Sequence, residues 1–141
     1  MEYRVFDETI VVRLDKGDKI AKCLLEVAKA ENVALASVSG IGAVDDFEVG
    51  IFDLDKSEYH HIHYVGNHEI NALTGNLTTQ NGKPYLHVHI TCTGRDGKVV
   101  GGHLFDGTIS LTAEIFLHKV EGSAERRFSP NLNINTISFP Q

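Results

Sequence analysis

Three histidines in the second half of the chain have the spacing of a metal site. Residues 85–90 read YLHVHI, and a strand there places His87 and His89 on one face and the apolar residues on the other. His103 follows within residues 100–104, which read VGGHL. Neutral imidazoles are good ligands for zinc and similar divalent ions, and an accessible zinc site usually combines three protein ligands with one open position. The pattern therefore predicts that these three histidines bind zinc or a similar divalent metal.

The turn between the two strands decides whether the third histidine joins the other two. A three-residue loop at 95–97, with Gly97 in the left-handed region, places His89 opposite His103. Opposite residues lie about 4.5–5.5 Å apart at Cβ, which is close enough for two rings to share one ion. A two-residue loop at 96–97 shifts the register by one residue and separates the two histidines. The predicted site therefore depends on the longer loop.

Length, composition and charge are those of an ordinary globular protein. The chain has 141 residues, 42% hydrophobic and 23% charged, which suits a single domain, 1–141. Its 19 acidic and 13 basic residues give a net charge of −6, which argues against a broad nucleic-acid-binding surface. The sequence contains no apolar run of about 18 residues and no signal-peptide pattern at its N-terminus. We therefore expect a cytoplasmic protein without a membrane segment.

The predicted elements form an α+β domain, a mostly antiparallel sheet packed with one main helix. Residues 9–14 read as a strand, and a helix is predicted from Asp18, as its N-cap, to Asn32. Two cysteines, Cys23 and Cys92, lack metal-ligand spacing and are expected to be buried. The apolar stripe of the helix contains Ile20, Leu24, Val27 and Ala28. Further strands are predicted at 35–39, 46–52, 58–64, 68–78, 85–93, 99–104, 108–118 and 132–139.

The strand predicted at 108–118 has the clearest alternation of apolar and other residues. Because alternate side chains of a strand share a face, its odd-numbered positions are predicted to be buried together. These positions are Ile109, Leu111, Ala113, Ile115 and Leu117.

Several other motifs carry weaker signals. Residues 40–42, Gly-Ile-Gly, are followed by a strand pattern rather than a helix, so they indicate close packing and not a dinucleotide site. The small pair at 101–102 leaves room for a subunit contact or a ligand on the metal. The histidines of 60–63 are interpreted as a solvated edge strand. Of the neighbours His68 and Glu69, we favour Glu69 as an additional metal ligand or as an acceptor for an imidazole N–H.

Ordered motifs across about 120 residues resemble one known family. They are Lys16-Gly17-Asp18, residues 39–44 (SGIGAV), Glu69-Ile70 leading to 75–77 (GNL), residues 86–89 (LHVH) and residues 101–104 (GGHL). The chain resembles the plants-and-prokaryotes-conserved (PPC) domain family in its stand-alone prokaryotic form. The resemblance implies an α+β fold, assembly into a homotrimer, and a metal, usually zinc, bound by histidines.

The resemblance also raises the question of DNA. The plant relatives carry an AT-hook, an Arg-Gly-Arg-Pro element that enters the minor groove, and this chain has none. The plant Gly-Arg-Phe-Glu-Ile-Leu run used for partner recruitment corresponds here to residues 66–71, GNHEIN, in which Arg and Phe are replaced. The one compact basic pair is Arg126-Arg127. Binding to DNA is therefore not expected without the hook.

Three hypotheses of different classes follow. The first is a homotrimeric metal-binding module, with a small-molecule ligand at the metal. The second is a metal-dependent enzyme in which the ion activates water or polarises a small substrate. The third is a DNA-associated regulatory protein, by analogy with the plant relatives. The sequence identifies no catalytic nucleophile or general base, and the catalytic residues of the second hypothesis are therefore unknown.

Overall fold

A computed structural model describes residues 1–139 of the chain, so residues 140 and 141 of the predicted domain lie outside the described residues. Within this range the chain forms one α-helix and eight strands. No helix in residues 1–139 is long and apolar enough to cross a membrane. The elements are β1 (Glu2–Phe6), β2 (Thr9–Asp15), α1 (Ile20–Ala30), β3 (Ala36–Asp53), β4 (Glu58–Gln80), β5 (Lys83–Gly94), β6 (Val99–Lys119), β7 (Glu125–Ser129) and β8 (Ile134–Ser138).

The strands form one sheet that is antiparallel at all but one of its pairings. The order is β1-β2-β6-β3-β4-β7-β8, and β5 pairs with both β4 and β6. Strands β3, β4, β5 and β6 therefore close a cycle of pairings. The exception is the parallel contact of β4 with β7, through Thr79 and Glu125. The α+β prediction, a mostly antiparallel sheet with one main helix, is confirmed.

Several strands are longer than the sequence predicts. The pairs predicted at 35–39 and 46–52, at 58–64 and 68–78, and at 99–104 and 108–118 are three continuous strands, β3, β4 and β6. Register shifts within their pairings let each strand run through glycine-rich and polar stretches without ending. The short strands β1 and β7 are not among the predicted elements, whereas the equally short β8 lies within the strand predicted at 132–139.

Helix α1 packs against the sheet, where it contacts β5 and β6. Its hydrophobic face is buried as predicted, and it also contains Cys23. Both cysteines are free and buried, as expected. The buried helix residues are Ile20, Cys23, Leu24, Val27 and Ala28.

The predicted N-cap of α1 is wrong. Lys19 occupies the N-cap position without a side-chain cap, while the Asp18 carboxylate accepts hydrogen bonds outside the helix, from the backbone N–H of Asp15 among others. The Asp106 carboxylate of β6 instead accepts the N–H of Ala21, at 2.9 Å. A free N–H of the first turn is thus satisfied from a distant strand, which local sequence does not reveal.

Leu111 departs from the predicted alternation of β6. Its side chain is 71% exposed, whereas the other four predicted positions are buried. Val44 pairs with Ile109 and Gly42 with Ala113, so three residues of β6 face one residue of β3. Leu111 lies within this extra length and points away from the core.

The glycine pairs reflect close approach of strands within the chain. A Cβ at Gly42 would lie 2.6 Å from the Cβ of Ala113, so β3 and β6 could not pair as closely there with a side chain. A Cβ at Gly101 would collide with the backbone of Ile90, and one at Gly102 would lie 2.8 Å from the carbonyl oxygen of Gly50. The space beside His103 is therefore occupied by β5 and β3 of the same chain.

Candidate metal centre

The turn between β5 and β6 has the register that the site requires. His89 pairs with His103, and Thr93 pairs with Val99. Gly97 has φ 78°, in the left-handed region, and residues 95–97 form the loop. The predicted three-residue loop is therefore confirmed, and the alternative two-residue loop is excluded.

This register brings the three imidazoles together. The ring centroids are 5.4 Å apart for His87 and His89, 5.1 Å for His87 and His103, and 5.6 Å for His89 and His103. One nitrogen from each ring lies within 4.8 Å of the others. His89 is exposed, while the other two rings are half-buried. The cluster thus has a solvent-accessible side and a protein-covered side.

Burial keeps two of these rings uncharged near neutral pH. Desolvation, followed by repulsion from His87, His89 and Arg126, lowers the pKa of His103 from 6.5 to about 4. Desolvation also lowers the pKa of His87, with Arg126 contributing. Neutral imidazole is the form that binds a metal ion.

The half-buried side of the cluster opens into a pocket of about 360 Å³. His87 and His103 line one wall, and the β7–β8 hairpin lines another. Tyr59 stacks on His103 with ring centroids 4.8 Å apart and planes 25° apart. Three further lining side chains are aromatic, Tyr85, Phe105 and Phe128, and the others are Arg126, Asn133, Ile134 and Asn135. The pocket therefore combines an apolar wall with the histidine nitrogens.

Arg126 is the principal site residue that sequence reasoning missed. It was noted only as half of a basic pair, yet it is 5% exposed and lines the pocket, whereas Arg127 is exposed. Its Nη2 donates to Nδ1 of His87 at 3.2 Å. Neighbouring side chains of a strand point to opposite faces, which separates the two arginines of β7, and Ala124, just before the strand, is buried on the side of Arg126. That alternation is the available signal, but it is too short to be recognised in sequence.

The hairpin is held over the histidines at two points. Glu125 accepts hydrogen bonds from the Thr79 hydroxyl at 2.7 Å and from the Asn81 N–H at 2.6 Å. At the other end, the Asn133 side chain donates to the carbonyl oxygen of Ser57 at 2.8 Å. These contacts to β4 and to the β3–β4 turn position Arg126 beside the cluster.

Glu69 does not join the three histidines. It pairs with Thr93, which is on the histidine-bearing face of β5 but four residues beyond His89. At about 3.3 Å per residue, that separation is about 13 Å along the strand, beyond the reach of a shared ion. Glu69 instead lines a separate hollow with Ile41. The prediction of Glu69 as an additional ligand is therefore corrected by its position along the strand.

The other flagged histidines also lie outside the cluster. His68 packs against Phe47, with ring centroids 5.1 Å apart. His61 contacts Glu48 at 2.6 Å, and His63 contacts Asp46 at 3.0 Å. These contacts fit the interpretation of an edge segment with solvated histidines.

The residues of the cluster fit a divalent ion. Three imidazoles are a donor set suited to zinc, and the Nδ1 atom of His103 is buried without a hydrogen-bond partner among the described residues. A buried nitrogen without a partner is costly unless something occupies it. An ion held by three protein ligands also retains a position for water or a small ligand.

Comparisons with solved structures agree on the fold. The metal-containing protein AF0104 from Archaeoglobus fulgidus is 29% identical, with a TM-score of 0.86 over 98% of this chain and 97% of that one. A plant- and prokaryote-conserved (PPC) protein from Pyrococcus horikoshii is 28% identical, with a TM-score of 0.87 over 99% and 97% of the two chains. A protein from Bacteroides thetaiotaomicron, provisionally described as DNA-binding, is 26% identical, with a TM-score of 0.94 over 98% and 96%.

The sequence itself matches a known domain. No curated protein matched significantly. Residues 1–121 match the Plants and Prokaryotes Conserved (PCC) domain, whose name is also written PPC, and the match ends before β7. The matched part contains all three histidines and the strands that carry them. The chain therefore belongs to the PCC domain family, as its resemblance predicted.

Proposed function

We propose that this chain is a metal-binding protein in which His87, His89 and His103 hold one zinc or similar divalent ion per chain. The observation that carries the proposal is the convergence of one nitrogen from each ring within 4.8 Å. The unpartnered Nδ1 of His103 and the metal content of the relative from Archaeoglobus fulgidus support it.

The protein supplies geometry and environment for the ion. Cross-strand pairing sets the separation of His89 and His103, and burial maintains His103 in its neutral form. A bound ion of this kind supplies Lewis acidity toward a ligand in its open position. The pocket beside His87 and His103 would receive that ligand.

We propose that the protein acts as a homotrimer. The resemblance implied this assembly, and an exposed apolar patch supports it. Ile41, Leu111 and Phe116 are 57%, 71% and 45% exposed on neighbouring strands β3 and β6. Ile41 lines one surface hollow with Leu111 and the next with Phe116, and exposed apolar side chains grouped in this way form a surface that association would cover. This patch is made by other residues than the histidine cluster, so metal binding and assembly can be tested separately.

Elemental analysis of tag-free protein tests the metal proposal. We expect about one equivalent of zinc or a similar ion per chain. The triple variant His87→Ala, His89→Ala, His103→Ala should contain none while retaining its circular dichroism spectrum. Full metal content in the folded triple variant would show that the ion binds elsewhere.

A metal-dependent enzyme is the second candidate, and the pocket of about 360 Å³ against two of the histidines favours it. A purely structural ion needs no such space, whereas a substrate does. Anomalous diffraction at metal edges, on untagged protein, tests this alternative. An open coordination position facing the pocket would favour chemistry, and a closed tetrahedral site would favour a structural ion.

A further inference from the structure

Arg126 is a buried cation without a carboxylate partner in residues 1–139. Its side chain is 5% exposed, and none of the ion pairs of the described residues includes it. Glu125, its neighbour in sequence, is held by Thr79 and Asn81 instead. Burying a charge is costly unless a charge of opposite sign accompanies it. The missing counter-charge points to an anionic ligand.

The hydrogen bonds of Arg126 hold the guanidinium in place but leave one of its N–H groups for a ligand. Its acceptors are all neutral: Thr78 Oγ1 at 2.9 Å, the Asn135 carbonyl at 3.1 Å, Asn76 Oδ1 at 2.9 Å and His87 Nδ1 at 3.2 Å. Arginine has five N–H groups, so one on Nη1 has no acceptor within residues 1–139. The guanidinium is thus oriented in advance, with one donor to spare.

The surroundings of Arg126 indicate the rest of the ligand. Arg126 lines the pocket of about 360 Å³, with Tyr59, Phe105 and Phe128 among the other lining residues. The guanidinium also lies 4.9 Å from the centroid of the Tyr85 ring. A volume of this size, with aromatic walls and one convergent cation, suits a small molecule with an apolar body and one acidic group.

We propose that this pocket binds a small organic carboxylate, with the carboxylate on Arg126 and the apolar body against the aromatic wall. The inference deepens the proposed function, because it identifies the ligand class for the pocket beside the metal site. It does not depend on the ion, since Arg126 and the aromatic wall belong to the protein alone.

The contact of Arg126 with His87 links the two sites. Arginine only donates, so Nδ1 of His87 accepts this hydrogen bond with the lone pair of the neutral ring. A neutral imidazole has a single such lone pair, so His87 cannot bind an ion with it and accept from Arg126 at once. Metal binding therefore releases a second N–H of Arg126. We expect the carboxylate to bind more tightly to metal-loaded protein.

The test uses benzoate, which combines an aromatic ring with a carboxylate, and benzamide, its neutral isostere. Each is titrated into ¹⁵N-arginine-labelled protein as purified, after chelation and after zinc loading, while the Arg126 Nε–H signal is followed by NMR. We expect benzoate to bind at least about tenfold more tightly than benzamide, because charge-assisted hydrogen bonds are stronger than neutral ones. Binding of both at equal strength, or of neither, would overturn the proposal.

Variants and a second anion locate the site. Arg126→Gln should lose the preference for benzoate, with or without zinc, while Arg127→Gln, the exposed neighbour, should retain it. Benzoate binding by zinc-loaded Arg126→Gln at wild-type strength would assign the anion to the ion alone and contradict the proposal. Inorganic phosphate binding as tightly as benzoate would contradict the carboxylate class. If Arg126→Gln does not fold, the wild-type comparison still decides.

The carboxylate proposal and the metal proposal can fail independently in these experiments. Protein that binds no metal but prefers benzoate would contradict the metal proposal and support this one. Protein that binds zinc through the three histidines but shows no preference for benzoate would contradict the carboxylate proposal and leave the metal proposal intact.

Discussion

Two segments of this chain have the same His-x-His pattern but opposite surroundings. His61 and His63 lie on the part of β4 that pairs only with β3, and each contacts a carboxylate, Glu48 or Asp46. His87 and His89 lie on β5 between two strands, with His103 opposite one of them. The first pair is thus engaged with acidic partners at the surface, while the second leaves imidazole nitrogens directed toward one another. The cross-strand neighbour, rather than the motif, distinguishes the two.

The two histidine segments are also connected. The Phe105 ring stacks on His61 at 4.3 Å and meets His103 edge-on at 5.1 Å. Aromatic packing therefore extends from the surface pair to the half-buried side of the three-histidine cluster. The difference between the segments arises over a short distance, from burial and from the residues placed opposite each histidine. Matched substitutions in the two segments can therefore test the assignment of the metal site.

The largest expected effect is loss of the metal. His89→Ala should remove stoichiometric metal, because two remaining imidazoles hold an ion poorly. His61→Ala, the matched substitution in the other segment, should leave the metal content unchanged. Elemental analysis of both tag-free variants measures this. Retention in His89→Ala together with loss in His61→Ala would reverse the comparison.

The next effect concerns assembly. Leu111→Glu should convert a trimer of about three times 15.5 kDa to a single chain of 15.5 kDa, because it places a charge in the exposed apolar patch. Leu54→Glu, at an 84% exposed position outside that patch, should remain trimeric. Light scattering coupled to size exclusion gives the masses. Wild-type protein with the mass of one chain would contradict the trimer.

Leu111→Glu also tests whether the metal site lies within a single chain. All three proposed ligands come from one chain, so dissociated Leu111→Glu should still contain about one metal ion per chain. Loss of metal together with the trimer would mean that the cluster requires a neighbouring subunit.

A smaller effect is expected in the pH dependence of stability of metal-free protein. The pKa of His103 is about 4 when folded, against 6.5 as its ordinary value, so the unfolded chain binds the proton more readily. Folding stability should therefore fall by about 3 kcal/mol as the pH decreases from about 6.5 to about 4, with no change from this group above 6.5. Chemical denaturation at about pH 7.5, above this range, and at about pH 4.5, near its lower end, measures the difference in the free energy of unfolding.

A pair of glutamine variants isolates this contribution. His103→Gln should reduce the difference in stability between the two pH values, since it removes the half-buried titrating imidazole. Leu54→Gln, at an 84% exposed position, should not, because it removes no titrating group. An unchanged pH dependence in folded His103→Gln would show that the cluster does not disfavour protonation.

The smallest effect is expected with DNA. A net charge of −6 per chain, tripled in a trimer, leaves little cationic surface for phosphate, and the buried Arg126 cannot contribute to one. We expect only weak, salt-sensitive binding in fluorescence anisotropy with AT-rich and GC-rich duplexes at about 150 mM salt. Saturable binding tighter than about 1 μM would instead support a DNA-associated role.

Much of the candidate site could be predicted because it depends on local rules. Alternation along a strand places His87 and His89 on one face, and the left-handed preference of Gly97 favours the loop that aligns His103. The bulge that exposes Leu111 could not be predicted, since it arises from unequal numbers of residues on β3 and β6. The cap on α1 was missed for a related reason, because Asp106 is distant in sequence.

Sequence alone was sufficient to predict the α+β class, the family and the convergence of the three histidines, because alternation, turn chemistry and ordered motifs are properties of short segments. The three-dimensional structure was needed to separate Arg126 from Arg127 and to exclude Glu69 from the cluster. The side chain of Arg126 is buried because Glu125 and Asn133 hold the hairpin, through hydrogen bonds, against β4 and the β3–β4 turn, which are far away in sequence. Glu69 is on the predicted face but too far along its strand. Burial and distance depend on pairings between remote segments, which no short stretch of sequence specifies.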